Sequence, residues 1–220
     1  MDTRPPVKPS RKKSPDRFHH GDLREQAAVE ACKIVAEHGH AALSMRRVAT
    51  TLGVTEPAIY RHYESREALL AEVSLRGFEP LAGMMREDMA AAADALDGVR
   101  RFCRAYVRYA AQHRGWFLLT FSREMSESPH VGKLTNERTQ AFQHERLKLL
   151  DALRGMIPAG DDPADLYRLA WGTAHGLAFL VVERVFQLVQ TDEERLAAAD
   201  RAIDLLVASL RARAPRDGDG

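Results

Sequence analysis

The sequence predicts an all-α protein. Three observations carry that prediction: apolar residues recur at spacings of three and four along most of the chain, glycines and prolines fall between the periodic segments, and no sustained apolar–polar alternation is present. With 220 residues and 45% apolar content, the chain has ample material for a packed core, in one domain or two.

Residues 1–18 are proline-rich, basic and aperiodic, and are read as a disordered arm. Asp22 caps the first helix, with Glu25 three residues on in capping-box register. Leu23, Ala27, Ala28, Ala31, Ile34, Val35 and His38 form its apolar stripe, and Gly39 stands where a left-handed C-terminal residue belongs. Ser44 opens a short second helix bearing Val48, Ala49 and Leu52, which Gly53 interrupts. Thr55 caps a third helix whose first turn holds Pro57, where a missing N–H is tolerated. Ser65 caps a fourth, running through Leu69, Leu70 and Val73, and Pro80 with Gly77 just before it should kink or divide it. Further helices are expected over about 97–113, 115–123, 133–155 and 163–189, the last started by Asp162 and Pro163. A final helix over about 192–213 opens at Thr191 with Glu194 in capping-box register, for a total of about nine. Residues 215–220 read as a frayed tail.

A formal net charge of +1 alone argues against a nucleic-acid binder, but the charge is unevenly spread. Residues 1–66 hold 12 Lys/Arg against 8 Asp/Glu, while residues 67–220 hold 20 against 23. The whole excess sits in the first 18 residues, in Arg4, Lys8, Arg11, Lys12, Lys13 and Arg17 against Asp2 and Asp16. Such asymmetry points to a polyanion on one side only, or simply to a solvated tail, so it needs a motif behind it. Cys32 and Cys103 form neither a disulfide framework nor a zinc spacing, which fits a reducing compartment. The polar start, with Pro5 and Pro6, has no apolar signal core, and no apolar stretch is long enough to span a bilayer; a soluble cytoplasmic protein is expected. His113, His130, His144 and His175 lack ligand-like pairing, so no metal is expected, and no cofactor. No phosphate-cradling glycine loop, zinc-protease motif or nucleophile elbow marks an enzyme.

The informative segment is Met45 to Tyr63. Two short helices crossing through a tight turn need a small residue where backbones meet, a glycine where φ is positive, and apolar residues that lock the second helix down. Ala49, Gly53 and Ile59 meet these demands at spacings of 4 and 6, with Val48, Leu52 and Val54 filling the core between them. Thr55, Glu56, Ala58, Tyr60, Arg61 and His62 then lie on or near the outward face and leading end of the second helix, the part of a helix-turn-helix that enters the major groove. The same spacing also fits two ordinary amphipathic helices with a glycine between them.

His19-His20-Gly21-Asp22-Leu23-Arg24, Leu43-Ser44-Met45-Arg46-Arg47-Val48-Ala49, Gly53-Val54, Pro57-Ala58-Ile59-Tyr60-Arg61-His62-Tyr63 and Glu67-Ala68-Leu69-Leu70 together resemble the DNA-binding domain of TetR-family repressors over residues 19–73. Ala170-Trp171-Gly172-Thr173-Ala174-His175-Gly176 is similar to a subgroup with a Trp-His-Gly signature, over a shorter match. The resemblance implies a helix-turn-helix domain over 19–73 and a helical regulatory and dimerisation domain over 74–214. Position by position, it implies that Ser44 and Arg46 contact phosphate or a base edge, and that Thr55 and Tyr60 hold phosphate. Glu56, Ala58 and Arg61 would face bases, and His62 and Arg66 would clamp the backbone. Arg61 is the reader that suits guanine O6 and N7, a contact that discriminates by roughly 1–3 kcal/mol. Glu56 departs from the neutral residue of many relatives, and two roles stand open for it: accepting from a cytosine amino group or pairing with a neighbouring cation.

In the body, Phe102, Tyr106, Tyr109, Trp116, Phe117, Phe121, Met125, Trp171, Phe179 and Phe186 supply core, and collectively the lining of an apolar ligand pocket. Tyr106, Tyr109, His113, Thr173 and His175 are candidates for its polar groups. A small apolar or aromatic effector is therefore expected, bound by Phe102, Tyr106, Tyr109, His113, Trp116, Phe117, Phe121, Trp171, His175 and Phe179. The last two helices are the expected dimer seam: Leu166, Leu169, Leu177, Leu180, Val181, Val185 and Leu188 on one, Leu196, Ala199, Ile203, Leu206, Val207 and Leu210 on the other. A homodimer built so sets two recognition helices roughly 34–36 Å apart on a palindromic double-stranded operator. The sequence thus reads as a ligand-relieved repressor. Its rival is a ligand-independent DNA-binding or architectural protein of the same fold.

Overall fold

The computed structural model describes residues 23–131, 140–154, 162–185 and 191–213, and among them no strand occurs. About eleven α-helices are defined among the described residues. The N-terminal half, called the reader after its expected role, comprises α1 (Leu23–His38), α2 (Met45–Thr51), α3 (Glu56–Tyr60) and α4 (Arg66–Arg76). The body comprises α5 (Phe78–Ala90), α6 (Ala95–Gln112), α7 (Arg114–Thr120) and α8 (Arg123–Ser126), then α9 (Gln140–Arg154), α10 (Pro163–Val182) and α11 (Asp192–Arg213). The arm, Asp22, residues 133–139, Phe186, Leu188 and the tail lie outside the described residues.

The local start signals act as their chemistry requires. Ser44 and Ser65 accept from the amides of Arg47 and Ala68, and Asp162 accepts from Ala164 with Pro163 in the first turn. At α11 the capping box closes both ways: Glu194 N donates to Thr191 Oγ1 at 3.1 Å and Thr191 N donates to Glu194 Oε2 at 3.0 Å. Thr55 occupies the cap position of α3 without bonding through its side chain. The second residue of that helix is Pro57, which has no N–H, and the Ala58 amide donates to the Thr55 carbonyl at 2.9 Å.

The helix opened at Ser65 divides as expected, and two later helices end earlier than expected. The division between α4 and α5 falls at Gly77, leaving Pro80 in the first turn of α5 where its ring is harmless. Tyr109 Oη donates to the Gly77 carbonyl at 2.8 Å and Trp116 Nε1 to the Ser74 carbonyl at 2.5 Å, so two aromatic side chains satisfy the break. The expected 163–189 helix stops at Val182. There Arg184 N donates to Val181 O at 3.2 Å and Val185 N to Leu180 O at 3.1 Å, a Schellman closure with Arg184, at φ 58, in the glycine position. The expected 115–123 helix ends at Thr120 and a separate turn, α8, follows under a Ser122 cap.

Two apolar clusters organise the chain. The reader cluster gathers Leu23, Ala27, Ala28, Ala31, Ile34, Val35, Val48, Ala49, Ile59, Leu69 and Leu70, and takes in Leu119 and Met125 from α7 and α8. The body cluster surrounds α6, whose Val99, Phe102, Cys103, Tyr106 and Tyr109 are buried among α5, α10 and α11. Burial pushes the Cys103 thiol up to about 12, so it stays protonated and inert. Ion pairs from Arg100 and Arg104 on α6 to Asp204, each 3.0 Å, fasten α11.

The α11 stripe offered for the dimer seam is used inside the protomer: Ala199, Ile203, Val207 and Leu210 are buried in the body cluster, as are Leu177 and Val181 of α10. Leu205 (71% exposed), Phe179 (49%) and Leu169 (46%) are what these two helices leave to solvent. Among the described residues no helix is long and apolar enough to cross a membrane, and no His/Cys/Asp/Glu group is arranged to hold a metal.

Candidate functional site

The reader edge is built by α2, the turn and α3. Gly53 adopts φ 67, the left-handed conformation a side chain disfavours, and the turn closes through Val54 N donating to Ala49 O at 3.0 Å. Ile59, wholly buried, pins the short α3 to the reader core. Its opposite face is thereby held outward: Thr55, Tyr60 and Arg61 are exposed, and Glu56, Ala58 and His62 are partly so. Ser44 and Arg46 are exposed at the start of α2. Glu56 pairs with no cation among the described residues. Arg61 and His62 border a polar groove of about 330 Å³ that also takes in Arg24 and His130.

Arg66 is turned into the protein rather than outward. Its Nε donates to Leu43 O at 2.9 Å, Nη2 to His40 O at 2.8 Å, and Nη1 to Glu124 Oε1 at 2.8 Å. Together with His130 Nδ1, 3.4 Å from Glu64, this fastens α8 and the residues after it to the end of the reader. On the other flank Arg76 grips Glu25 through two bonds of 2.7 Å and the buried Glu72 at 2.9 Å, tying α4 to α1.

A cavity of about 490 Å³ lies where α4 enters the body. Its walls are Ser74 and Leu75 of α4, Phe78 of α5, Thr120 and Phe121 at the end of α7, Met125, Ser126, Ser128 and Val131 in and after α8, Phe142 and Gln143 of α9, and Trp171 of α10. Of the residues expected to bind a ligand, Phe121 and Trp171 line it. His175 backs that wall, its ring stacked on Trp171 at 5.1 Å and edge-on to Phe121 at 4.5 Å, with Nδ1 sharing a 2.8 Å hydrogen bond with Tyr106 Oη. Burial lowers the His175 pKa below its ordinary value and so favours the neutral ring.

The other candidates fall elsewhere. Phe102, Tyr106 and Phe117 are core. Tyr109, His113 and Trp116 line a second cavity of about 300 Å³ against Cys32 and Val35 of α1, and the polar atoms of Tyr109 and Trp116 are committed to the α4–α5 break. Phe179 is half exposed and outside both linings. Sequence reasoning passed over Ser74, Thr120, Phe142 and Gln143. A serine at a buried position of α4 was the available signal, since a helix hydroxyl facing the interior needs a partner or a space.

Residues 29–73 match the family profile described as bacterial regulatory proteins, tetR family, and residues 99–206 match a tetracyclin repressor-like C-terminal domain. The regulator BetI of Rhizobium meliloti is 28% identical over 207 residues, 90% of this chain and 93% of that protein. The transcriptional activator FasR of Mycolicibacterium smegmatis is 22% identical over 126 residues, 57% of this chain, and the match spans only 58% of FasR. A Rhodococcus sp. RHA1 protein of unknown function superposes with a TM-score of 0.70 at 25% identity, over 91% of this chain and all of that one. FadR of Bacillus subtilis, solved with stearoyl-CoA, has the same fold, with a TM-score of 0.64 at 18% identity over 84% of this chain and 97% of FadR. Matched in both halves by profiles of one family, the chain belongs to the TetR family of transcriptional regulators.

Proposed function

We propose that the chain is a homodimeric repressor whose grip on a palindromic operator is released when a small apolar molecule fills the cavity beneath α4. One observation carries this reading: α4 serves both compartments. Its Leu69 and Leu70 support the reader core, and Ser74 and Leu75, little more than a turn further on, form a cavity wall. A ligand that prefers a different spacing of that wall therefore acts on the helix beneath the reader, and α8, which lines the cavity and is held by Arg66, offers a second lever. Such coupling is typically worth about 1–3 kcal/mol, or a 5–150-fold loss of DNA affinity.

On the DNA side, the exposed edge of α3 enters the major groove, with Arg61 reading a base and Tyr60 on the backbone. The Thr55 hydroxyl makes no cap bond to its own helix, which leaves it available to a phosphate. Ser44 and Arg46 add contacts from α2, and the basic arm adds salt-dependent affinity. Arg66, engaged with Glu124, positions the reader rather than touching DNA. The seam is formed by the residues α10 and α11 expose, Leu169, Phe179 and Leu205.

The test is fluorescence anisotropy with duplexes tiled across the region upstream of the protein's own gene, at low and moderate salt. One palindromic duplex should bind two chains, with affinity falling on addition of a cavity ligand. Equal affinity for all duplexes, or operator affinity indifferent to every compound that raises the melting temperature, would refute the reading.

A further inference from the structure

We infer that the cavity beneath α4 selects an uncharged apolar molecule, one carrying no more than a hydroxyl, ketone or ester, and discriminates against carboxylates and phosphates. This rests on the regulatory reading above and narrows it to a ligand class. Twelve described residues line the cavity, and none of them is ionisable. Its volume of about 490 Å³ suits a drug-sized molecule. The lining is aromatic and aliphatic apart from four hydroxyls and one amide, those of Ser74, Thr120, Ser126, Ser128 and Gln143.

Several of those hydroxyls are already engaged. Ser74 Oγ donates to Thr120 Oγ1 at 3.2 Å, Ser126 Oγ donates to Arg123 O at 3.0 Å, and Ser128 Oγ accepts from His130 N at 3.3 Å. Their spare lone pairs and the Gln143 amide can match one carbonyl or hydroxyl. An anion brought among them would shed its water and meet no cation among the described lining residues, the least favourable arrangement for a buried charge. On α8, Glu124 holds Arg66 and Arg123 holds Glu127, at 2.8 Å each. Behind the Phe121–Trp171 wall stands the His175 ring, joined to the Tyr106 hydroxyl and shielded by the two rings it packs against.

The experiment displaces the neutral dye Nile red from the full chain with a matched series: dodecanol, methyl dodecanoate, dodecanoate and dodecanoyl-CoA, at neutral pH where the acid is ionised. The alcohol and ester should displace the dye at concentrations lower than the acid and the thioester by about tenfold or more. Ser126→Trp, at an exposed rim position, should weaken displacement by all four. A carboxylate or CoA ester that competes as well as the methyl ester overturns the neutral-ligand class and leaves the cavity reading standing. Failure of the chain to retain the dye, or a Ser126→Trp variant that binds like wild type, overturns the cavity reading itself.

Discussion

Gly115 is the second residue of α7, where that helix crosses α1, and replacing it with alanine tests how the body is seated on the reader. A Cβ at this position would lie 2.1 Å from the Val35 carbonyl oxygen and 2.9 Å from its carbon. Both partners in the clash are main chain, so no flexible side chain can swing aside, and the helices must separate by roughly 1 Å to restore ordinary contact. Overpacking of this kind costs about 1–3 kcal/mol. Removing a helical glycine returns up to about 1 kcal/mol. The expected net loss is about 1–2 kcal/mol, and at about 2–4 °C per kcal/mol the melting midpoint should drop by about 2–8 °C. Gly83, inside α5 with nothing within 4 Å of a built Cβ, is the control. Gly83→Ala keeps only the favourable term and should raise the midpoint by about 1–4 °C. Circular dichroism melts of the two variants beside wild type decide the matter. If Gly115→Ala melts at or above wild type, the intimate α1–α7 contact does not exist as described.

Other perturbations probe the reader, the α8 contact and the charged cap of α6. Arg61→Ala should lose roughly 1–3 kcal/mol of preference for operator over scrambled duplex while its gel-filtration profile stays that of wild type; unchanged preference would mean α3 does not read bases with this residue. Glu124→Gln removes the charge facing Arg66, a half-exposed pair worth no more than about 1 kcal/mol of stability. It should shrink the ligand-induced loss of DNA affinity, and a response equal to wild type would exclude α8 from the coupling. Asp97 is drawn from 3.8 down to about 2, chiefly by its hydrogen bond from Arg101 and then by the Ala93 amide. A carboxylate lowered on folding contributes stability that is full above its unfolded pKa and lost as pH falls toward the folded one. Asp97→Asn should therefore be less stable than wild type near neutrality, with the gap closing between about pH 4 and 2; a gap that persists in acid would assign the loss to packing instead.

Much of the architecture was legible because it is local. A serine or aspartate ahead of an apolar run finds its amide partner within three residues, so Ser44, Ser65, Asp162 and the Thr191–Glu194 pair behave as read. The end of α10 was not legible, because Val185 continues the apolar run and the left-handed position is filled by Arg184 rather than glycine. The cavity was half legible. Phe121 and Trp171 belong to the aromatic cluster that suggested it, whereas Ser74, Phe142 and Gln143 reach it from helices far apart in sequence.

From the sequence alone came the helical class, the turn at Gly53, the buried anchor at Ile59 and the outward edge of α3, since spacing and residue chemistry specify them within a dozen residues. Tertiary structure decided what each apolar or charged face meets. It turned the α11 stripe inward against α6, set Tyr109 and Trp116 to satisfy the α4–α5 break, and aimed Arg66 at Glu124. Periodicity reports that a face is apolar, and composition that a side chain is charged; which surface covers the one or pairs with the other is fixed only when distant segments pack.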